Sequence, residues 1–298
     1  MNSIYPHLVQ DTEALLHNTA EPTRRVALKA ALGVGYVAAA GTVMAQTAVR
    51  TPSEGLVTGE VTIEVGGVQV PAYRSAPAGK THLPVVLVIS EIFGVHEYIA
   101  DVTRRLAKLG YLAIAPELFV RQGDPSAYGE IAKINTEIIA KVPDAQVMGD
   151  LDAWVAWAGA HGGNVDKLAI TGFCWGGRIS WLYAMHQPRI KAAVAWYGRL
   201  VGAATGNTPS QPLDGVGQLK APVLGLYGGA DAGIPLESVE RMKQALAQGP
   251  AAARASELVV YPDTPHAFHA DYRPSYRQGP AEDGWRRMQA WFKRHGVA

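Results

Sequence analysis

From residue 54 onward the apolar and polar positions follow two rhythms in turn. The stretches GLVTGEVTIEV (55–65) and VQVPAYRS (68–75) alternate with period two on either side of Gly66-Gly67, which predicts a β-hairpin with a glycine turn. LPVVLVIS (83–90) is short, β-branched and unbroken, the pattern of a strand buried on both faces. EYIADVTRRLAKLG (97–110) then changes to helical spacing, with Ile99, Val102, Leu106 and Leu109 on one face and Gly110 as its stop. YLAIAPEL reads as another buried strand. The cycle continues with a helix over 144–160, a strand over 167–172, a helix over 177–186 and a strand over 190–196. After it come a strand over 222–227, a helix over 236–247, a strand over 256–261 and a last helix over 281–294. Strands alternating with helices imply a mostly parallel, doubly wound α/β sheet with helices on both faces. The connections 121–143 and 199–219 are longer and are candidates for lids over a site.

Composition narrows the function classes. A chain of 298 residues, 48% hydrophobic, can bury a large core. Lys+Arg (27) and Asp+Glu (26) nearly cancel and form no basic stripe, so the footprint that nucleic acid requires is missing. Cys174 is the single cysteine, which forbids an intramolecular disulfide and leaves either a small buried hydrophobe or a reactive thiol.

The N-terminus follows a different logic. Arg24, Arg25 and Lys29 precede a stretch with no charge until Arg50, and small residues surround Ala45. This is the layout of an export signal, and the paired arginines after Thr23 resemble a twin-arginine leader. The expected division is therefore a leader over 1–45 and a domain over 46–298, which the twin-arginine machinery would deliver folded to the periplasm or the medium. The alternative is a membrane anchor, because the uncharged run approaches the roughly 20 residues that span a bilayer. Its Gly and Ala content makes it only weakly apolar.

The chemistry centres on LAITGFCWGGRIS (168–180). Gly172-Phe173-Cys174-Trp175-Gly176 is a G-x-nucleophile-x-G pattern between a buried strand and a helix, where a tight turn lifts a side chain clear of the sheet. The Trp175 N–H, at the start of that helix, is placed to stabilise an oxyanion, and the helix dipole favours a thiolate. A nucleophilic thiol needs a base, and the base needs an orienting acid. Asp231 follows the strand APVLGLYGG and His266 follows SELVVYPD, in the order that α/β-hydrolase sheets use. Each alone is open to a plainer reading, Asp231 as a turn or N-cap residue and His266 as a surface histidine. His269 with Asp263 and Asp271 lacks a recognisable metal-ligand spacing, so no metal or cofactor is expected.

EIFGVHEYIADVTRRLAKLGYLAIAPELFVRQG, GFCWGG, GGADAGIP and HAFH together resemble the dienelactone hydrolase family, from about residue 55 to the C-terminus. That resemblance implies an α/β-hydrolase fold and a carboxymethylenebutenolidase-like hydrolysis of ester or lactone bonds through a thioester. It casts Cys174 as nucleophile, His266 as base, Asp231 as orienter and Glu91 as the group that takes the thiol proton, with Ile92 N–H as the second oxyanion donor. It also implies two carboxylate-gripping arginines. Arg121 matches the first; Ala270 stands where the second would be, with Arg273 or Arg178 as substitutes in space or as charge partners of Glu91. Phe93, Phe173, Trp175, Tyr197 and Phe268 are candidate walls of an acyl pocket, while Trp154, Trp157 and Trp181 read as core. A broader esterase or thioesterase for uncharged acyl groups, and a silent binding protein on the same fold, remain as alternative readings.

Overall fold

The computed structural model describes residues 48–298. The expected leader over 1–45 lies outside them, and no helix among the described residues is long and apolar enough to cross a membrane. The chain opens with β1 (Leu56–Val65) and β2 (Val68–Pro77), an antiparallel hairpin whose turn is Gly66-Gly67. Both glycines have positive φ, +58° and +77°, the pair that an I′-type turn demands. There follow β3 (Leu83–Ile89), α1 (Glu97–Lys108), β4 (Leu112–Pro116), α2 (Ile131–Glu137), α3 (Asp144–Ala160) and β5 (Gly163–Phe173). The second half carries α4 (Trp175–His186), β6 (Ile190–Trp196), β7 (Val223–Gly228), α5 (Leu236–Gln248), α6 (Ala251–Arg254), β8 (Glu257–Tyr261) and α7 (Gln278–Arg294). The eight strands form one sheet in the order β1-β2-β4-β3-β5-β6-β7-β8. Only β1 and β2 run antiparallel to their neighbours; β4 through β8 are parallel, as the unbroken apolar runs imply.

Two boundaries differ from the sequence expectation in informative ways. α4 begins at Trp175, two residues earlier than its apolar spacing suggests, because Cys174 itself ends the strand-to-helix turn. α7 begins at Gln278 and takes Pro280 into its first turn, where the missing N–H costs nothing. The connection 121–143 also contains α2, a short helix with only Ile134 buried, too slight for a periodic signal.

The order fixes the site. β3 and β5 are adjacent, yet the chain leaves β3 toward β4 on one side and returns through β5 on the other. The carboxyl ends of such a pair flank a topological switch point, where open α/β sheets place their ligands. β3 and β5 pair as far as Ile89 opposite Gly172, so Glu91 and Cys174 emerge side by side just beyond. Trp154 and Trp181 are fully buried beneath, as core residues.

Candidate active site

Cys174 occupies a strained turn. Its backbone sits at φ 55° and ψ −112°, a conformation that L-residues rarely adopt, and its N–H donates to the Trp196 carbonyl at 3.0 Å. The flanking glycines are there for space: a Cβ on Gly172 would stand 2.2 Å from Gly176 O, and one on Gly176 would stand 2.4 Å from Ile89 O. The start of α4 is thus pressed against the end of β3. As the first residue of α4, Trp175 has no intrahelical acceptor for its N–H. Trp175 is itself steadied by an edge contact with Phe119, their centroids 4.8 Å apart.

Asp231 and His266 meet across the ends of β7 and β8. Asp231 Oδ1 accepts the Gly233 N–H at 2.9 Å, and Oδ2 pairs with His266 Nδ1 at 2.6 Å. The acid is thereby fixed at both oxygens, and the histidine presents Nε2. That nitrogen is buried without a partner of good hydrogen-bond geometry, but lies close enough to the Cys174 sulfur for the two to perturb each other. Burial alone would lower the His266 pKa; Cys174 and Asp231 outweigh it and push it up to about 10. Asp231 and His266 thus stand paired at the strand ends, with the half-buried Cys174 thiol beside them.

Glu91 is 1% exposed and stays ionised. Burial pushes its pKa up, but the His96 hydrogen bond and charge, with Arg273 nearby, hold it below the usual carboxylate range. Oε2 bonds His96 Nε2 at 3.2 Å, while Oε1 is buried with no partner. No hydrogen bond joins Glu91 to Cys174 among the described residues; the carboxylate lies beside the thiol's compartment, turned to His96. His96 was not singled out by sequence. It stands at the entry of α1 like any cap residue, and only the ring contacts with Tyr98, Tyr272 and Phe93 reveal its setting.

Several predicted substrate contacts are corrected by their partners. Arg121 does not offer a free cation. Its guanidinium grips Asp150 at 2.5 and 2.9 Å and donates to the Val65 carbonyl at 3.0 Å, clamping the segment after β4 to α3 and the hairpin tip. Arg178 does not face Glu91. It makes a bidentate pair with Asp144 at 2.7 Å and bonds Gln211 Oε1 and the Ser210 carbonyl at 2.9 Å, so it fastens the 199–219 connection to α3. Phe268 is 0% exposed, edge-on to Tyr197 and Tyr261, and supports the histidine loop from behind instead of walling a pocket. Phe173 is likewise fully buried, between Trp196 and His269.

Arg273 is the cation that reaches the site. It is 5% exposed, lies over the Phe93 ring at 5.2 Å and the Tyr272 ring at 5.7 Å, and its Nε has no partner. Burial lowers its pKa, but Tyr272, Glu91 and Cys174 outweigh this and raise it. The hydroxyls of Tyr197 and Ser90 are also buried and unpartnered, while that of Tyr272 faces the Arg273 guanidinium. Burial raises both tyrosine pKa values, so both remain O–H donors. Native interiors rarely leave buried polar groups unpaired, and five such atoms, from Ser90, Glu91, Tyr197, His266 and Arg273, lie at this end of the sheet. His269 bonds Tyr98 at 2.5 Å, and Asp271 pairs with Arg105.

The model of the dienelactone hydrolase family matches residues 70–296. The chain belongs to the dienelactone hydrolase family. A relative from Methylorubrum extorquens, provisionally assigned as a carboxymethylenebutenolidase, is 55% identical over 277 residues, covering 93% of this chain and 94% of its own. A like-named protein of Escherichia coli K12 is 55% identical over 260 residues, 87% of this chain and 95% of the relative. The crystal structure of a dienelactone hydrolase, so assigned provisionally, from Klebsiella pneumoniae superposes with a TM-score of 0.78 at 55% identity, over 80% of this chain and 98% of that one. The eight-stranded sheet is an α/β-hydrolase fold, and this family member is a carboxylic ester hydrolase.

Proposed function

We propose that this dienelactone hydrolase family member cleaves an ester or lactone bearing an anionic group, using Cys174 as nucleophile and a thioester as intermediate. The observation that carries the reading is the buried set of donors, Arg273 with Tyr197 and Tyr272, whose Arg273 Nε and Tyr197 hydroxyl lack acceptors, beside a thiol that interacts with His266.

In the first step His266 Nε2 takes the Cys174 thiol proton, the resulting thiolate attacks the substrate carbonyl carbon, and the tetrahedral oxygen takes the negative charge. In this reading the Trp175 and Ile92 amides stabilise that oxyanion. Collapse breaks the acyl C–O bond, and the His266 imidazolium gives its Nε2 proton to the departing alkoxide. The thioester remains. Neutral His266 then takes a proton from water, hydroxide equivalent adds to the thioester, and the carbon–sulfur bond breaks to release acid and thiolate. Asp231 keeps His266 in the Nδ1–H tautomer throughout and stabilises each imidazolium. Arg273 with the two tyrosines fixes the anionic group, so that the carbonyl is held at the sulfur.

An uncharged acyl substrate would leave Arg273 buried without a partner, a costly arrangement. The test is turnover of a carboxylated enol-lactone beside an uncharged aryl ester of equal size, by wild type, Cys174→Ala and Arg273→Met. The reading expects the anionic compound to be preferred by wild type, no turnover by Cys174→Ala, and loss of the preference in Arg273→Met. Equal or better turnover of the neutral ester removes the anionic substrate class, and activity surviving in Cys174→Ala removes the nucleophile.

A further inference from the structure

We infer that His96 is a positioning residue that keeps Arg273 open for the substrate by holding Glu91 away from it. The inference rests on the anionic-substrate reading above.

Glu91 and Arg273 share one buried compartment, 1% and 5% exposed, and each perturbs the charge of the other. Opposite charges in such surroundings attract strongly, and a direct ion pair is the ordinary outcome. Yet no carboxylate is in salt-bridge contact with Arg273 among the described residues. The carboxylate is taken by His96 instead, which bonds Oε2 at 3.2 Å. His96 is in turn held by its surroundings. It stacks on Tyr98 at 5.9 Å with an interplanar angle of 22°, and makes edge contacts with Tyr272 at 5.2 Å and Phe93 at 6.5 Å. Because Glu91 is ionised it can only accept, so Nε2 carries the proton in this bond. The backbone reinforces the arrangement. Val95 N–H donates to Glu117 Oε1 at 3.0 Å and pins the turn between β3 and α1, so that His96 cannot withdraw without disturbing β4's end.

The consequence is a division of charge. Glu91 lowers the cost of burying Arg273 without neutralising it by contact, and Arg273 keeps its Nε–H without an acceptor for an incoming anion. Without the His96 donor, Oε2 joins Oε1 as a bare buried acceptor, and the nearest buried guanidinium is that of Arg273. The carboxylate then competes with substrate for it. The groups facing His96 are Glu91, Tyr98, Tyr272 and Phe93, so this competition is the main electrostatic change its removal produces.

The test compares His96→Phe, His96→Gln and the double variant Glu91→Gln/His96→Phe, each checked for folding by near-UV circular dichroism. Phe keeps the ring contacts and removes the donor; Gln keeps a donor. For the carboxylated lactone we expect His96→Phe to raise KM by about 10-fold or more, the size of a charge-assisted hydrogen bond, with kcat changed by less than about threefold. KM for the neutral ester should stay within about twofold of wild type. His96→Gln should restore most of the anionic KM, and so should the double variant, in which residue 91 no longer bears a charge. Equal loss on both esters, or no rescue by either variant, overturns the assignment. Calorimetry of benzoate and benzamide on Cys174→Ala with and without His96→Phe gives a readout that needs no turnover. Loss of benzoate binding alone supports the assignment, and unchanged benzoate binding contradicts it. If wild type turns over neither ester, the functional reading fails while the benzoate measurement still decides the role of His96.

Discussion

Gly176→Ala places one methyl group where two backbones meet. The new Cβ would stand 2.4 Å from Ile89 O, 2.6 Å from Ser90 O and 2.7 Å from Ile89 C. Carbon atoms do not sit closer than about 3 Å to such groups, and none of the three neighbours is a side-chain end that can swing away. Relief therefore requires α4 and the end of β3 to part by roughly 0.5–1 Å. Overpacking of this kind costs about 1–3 kcal/mol and more where backbone must move, so a loss of about 3 kcal/mol is expected. The same movement separates Trp175 N–H from Ile92 N–H and shifts the sulfur against the carbonyl. A displacement near 1 Å at the reacting atoms lowers kcat by about 100-fold. Gly149→Ala is the control: it lies exposed within α3 with nothing near its Cβ position, and should stabilise by about 0.5–1 kcal/mol without touching activity. Urea unfolding and kcat on one ester measure both effects. A Gly176→Ala enzyme as stable and active as wild type would refute the claim that contact between β3 and α4 sets the nucleophile.

Other residues give independent tests. Asp231→Asn should keep the fold but present the wrong imidazole tautomer, lowering kcat by about 10²–10⁴-fold; a change under tenfold would contradict the orienting role. Arg178→Ala removes the bidentate partner of Asp144 and the tie to Gln211, so it should cost about 3 kcal/mol by urea unfolding while the pH–rate profile stays unchanged; a shifted profile would return Arg178 to the site. His266 is raised from an ordinary 6.5 to about 10, so its contribution to stability is complete below about pH 6.5 and is lost as pH rises toward 10. The difference in Tm between wild type and His266→Gln should accordingly be largest near pH 6 and shrink by pH 10. A difference independent of pH would argue against the charged histidine.

What the sequence made legible was whatever depends on neighbours along the chain. Unbroken apolar runs gave the parallel strands, and GFCWGG gave the turn at Cys174, because the glycines there answer a local steric need. Asp231 and His266 were legible from their places after two later strands. The surroundings of Arg121 and Arg178 were not legible for a shared physical reason: their partners are distant in sequence. Asp150 lies 29 residues beyond Arg121 and Gln211 lies 33 beyond Arg178, and nothing local marks either pairing. Sequence offered both Arg178 and Arg273 and the expectation settled on Arg178; packing separates them the other way, with Arg178 committed to Asp144 and Arg273 lying over Phe93 and Tyr272. His96 escaped notice because it looks like a helix-entry residue; its meaning comes from Tyr272, brought to it by the folding of the histidine loop.

The central claim is that Cys174 carries the acyl group. Wild type mixed with a slowly hydrolysed carboxylated aryl ester, acid-quenched within the first turnovers and digested, should show the acyl mass on the peptide containing Cys174 and no other. The adduct should decay at the rate of product formation. Steady turnover with no adduct on that peptide, or an acyl group on another residue that forms and decays at the catalytic rate, would contradict the account.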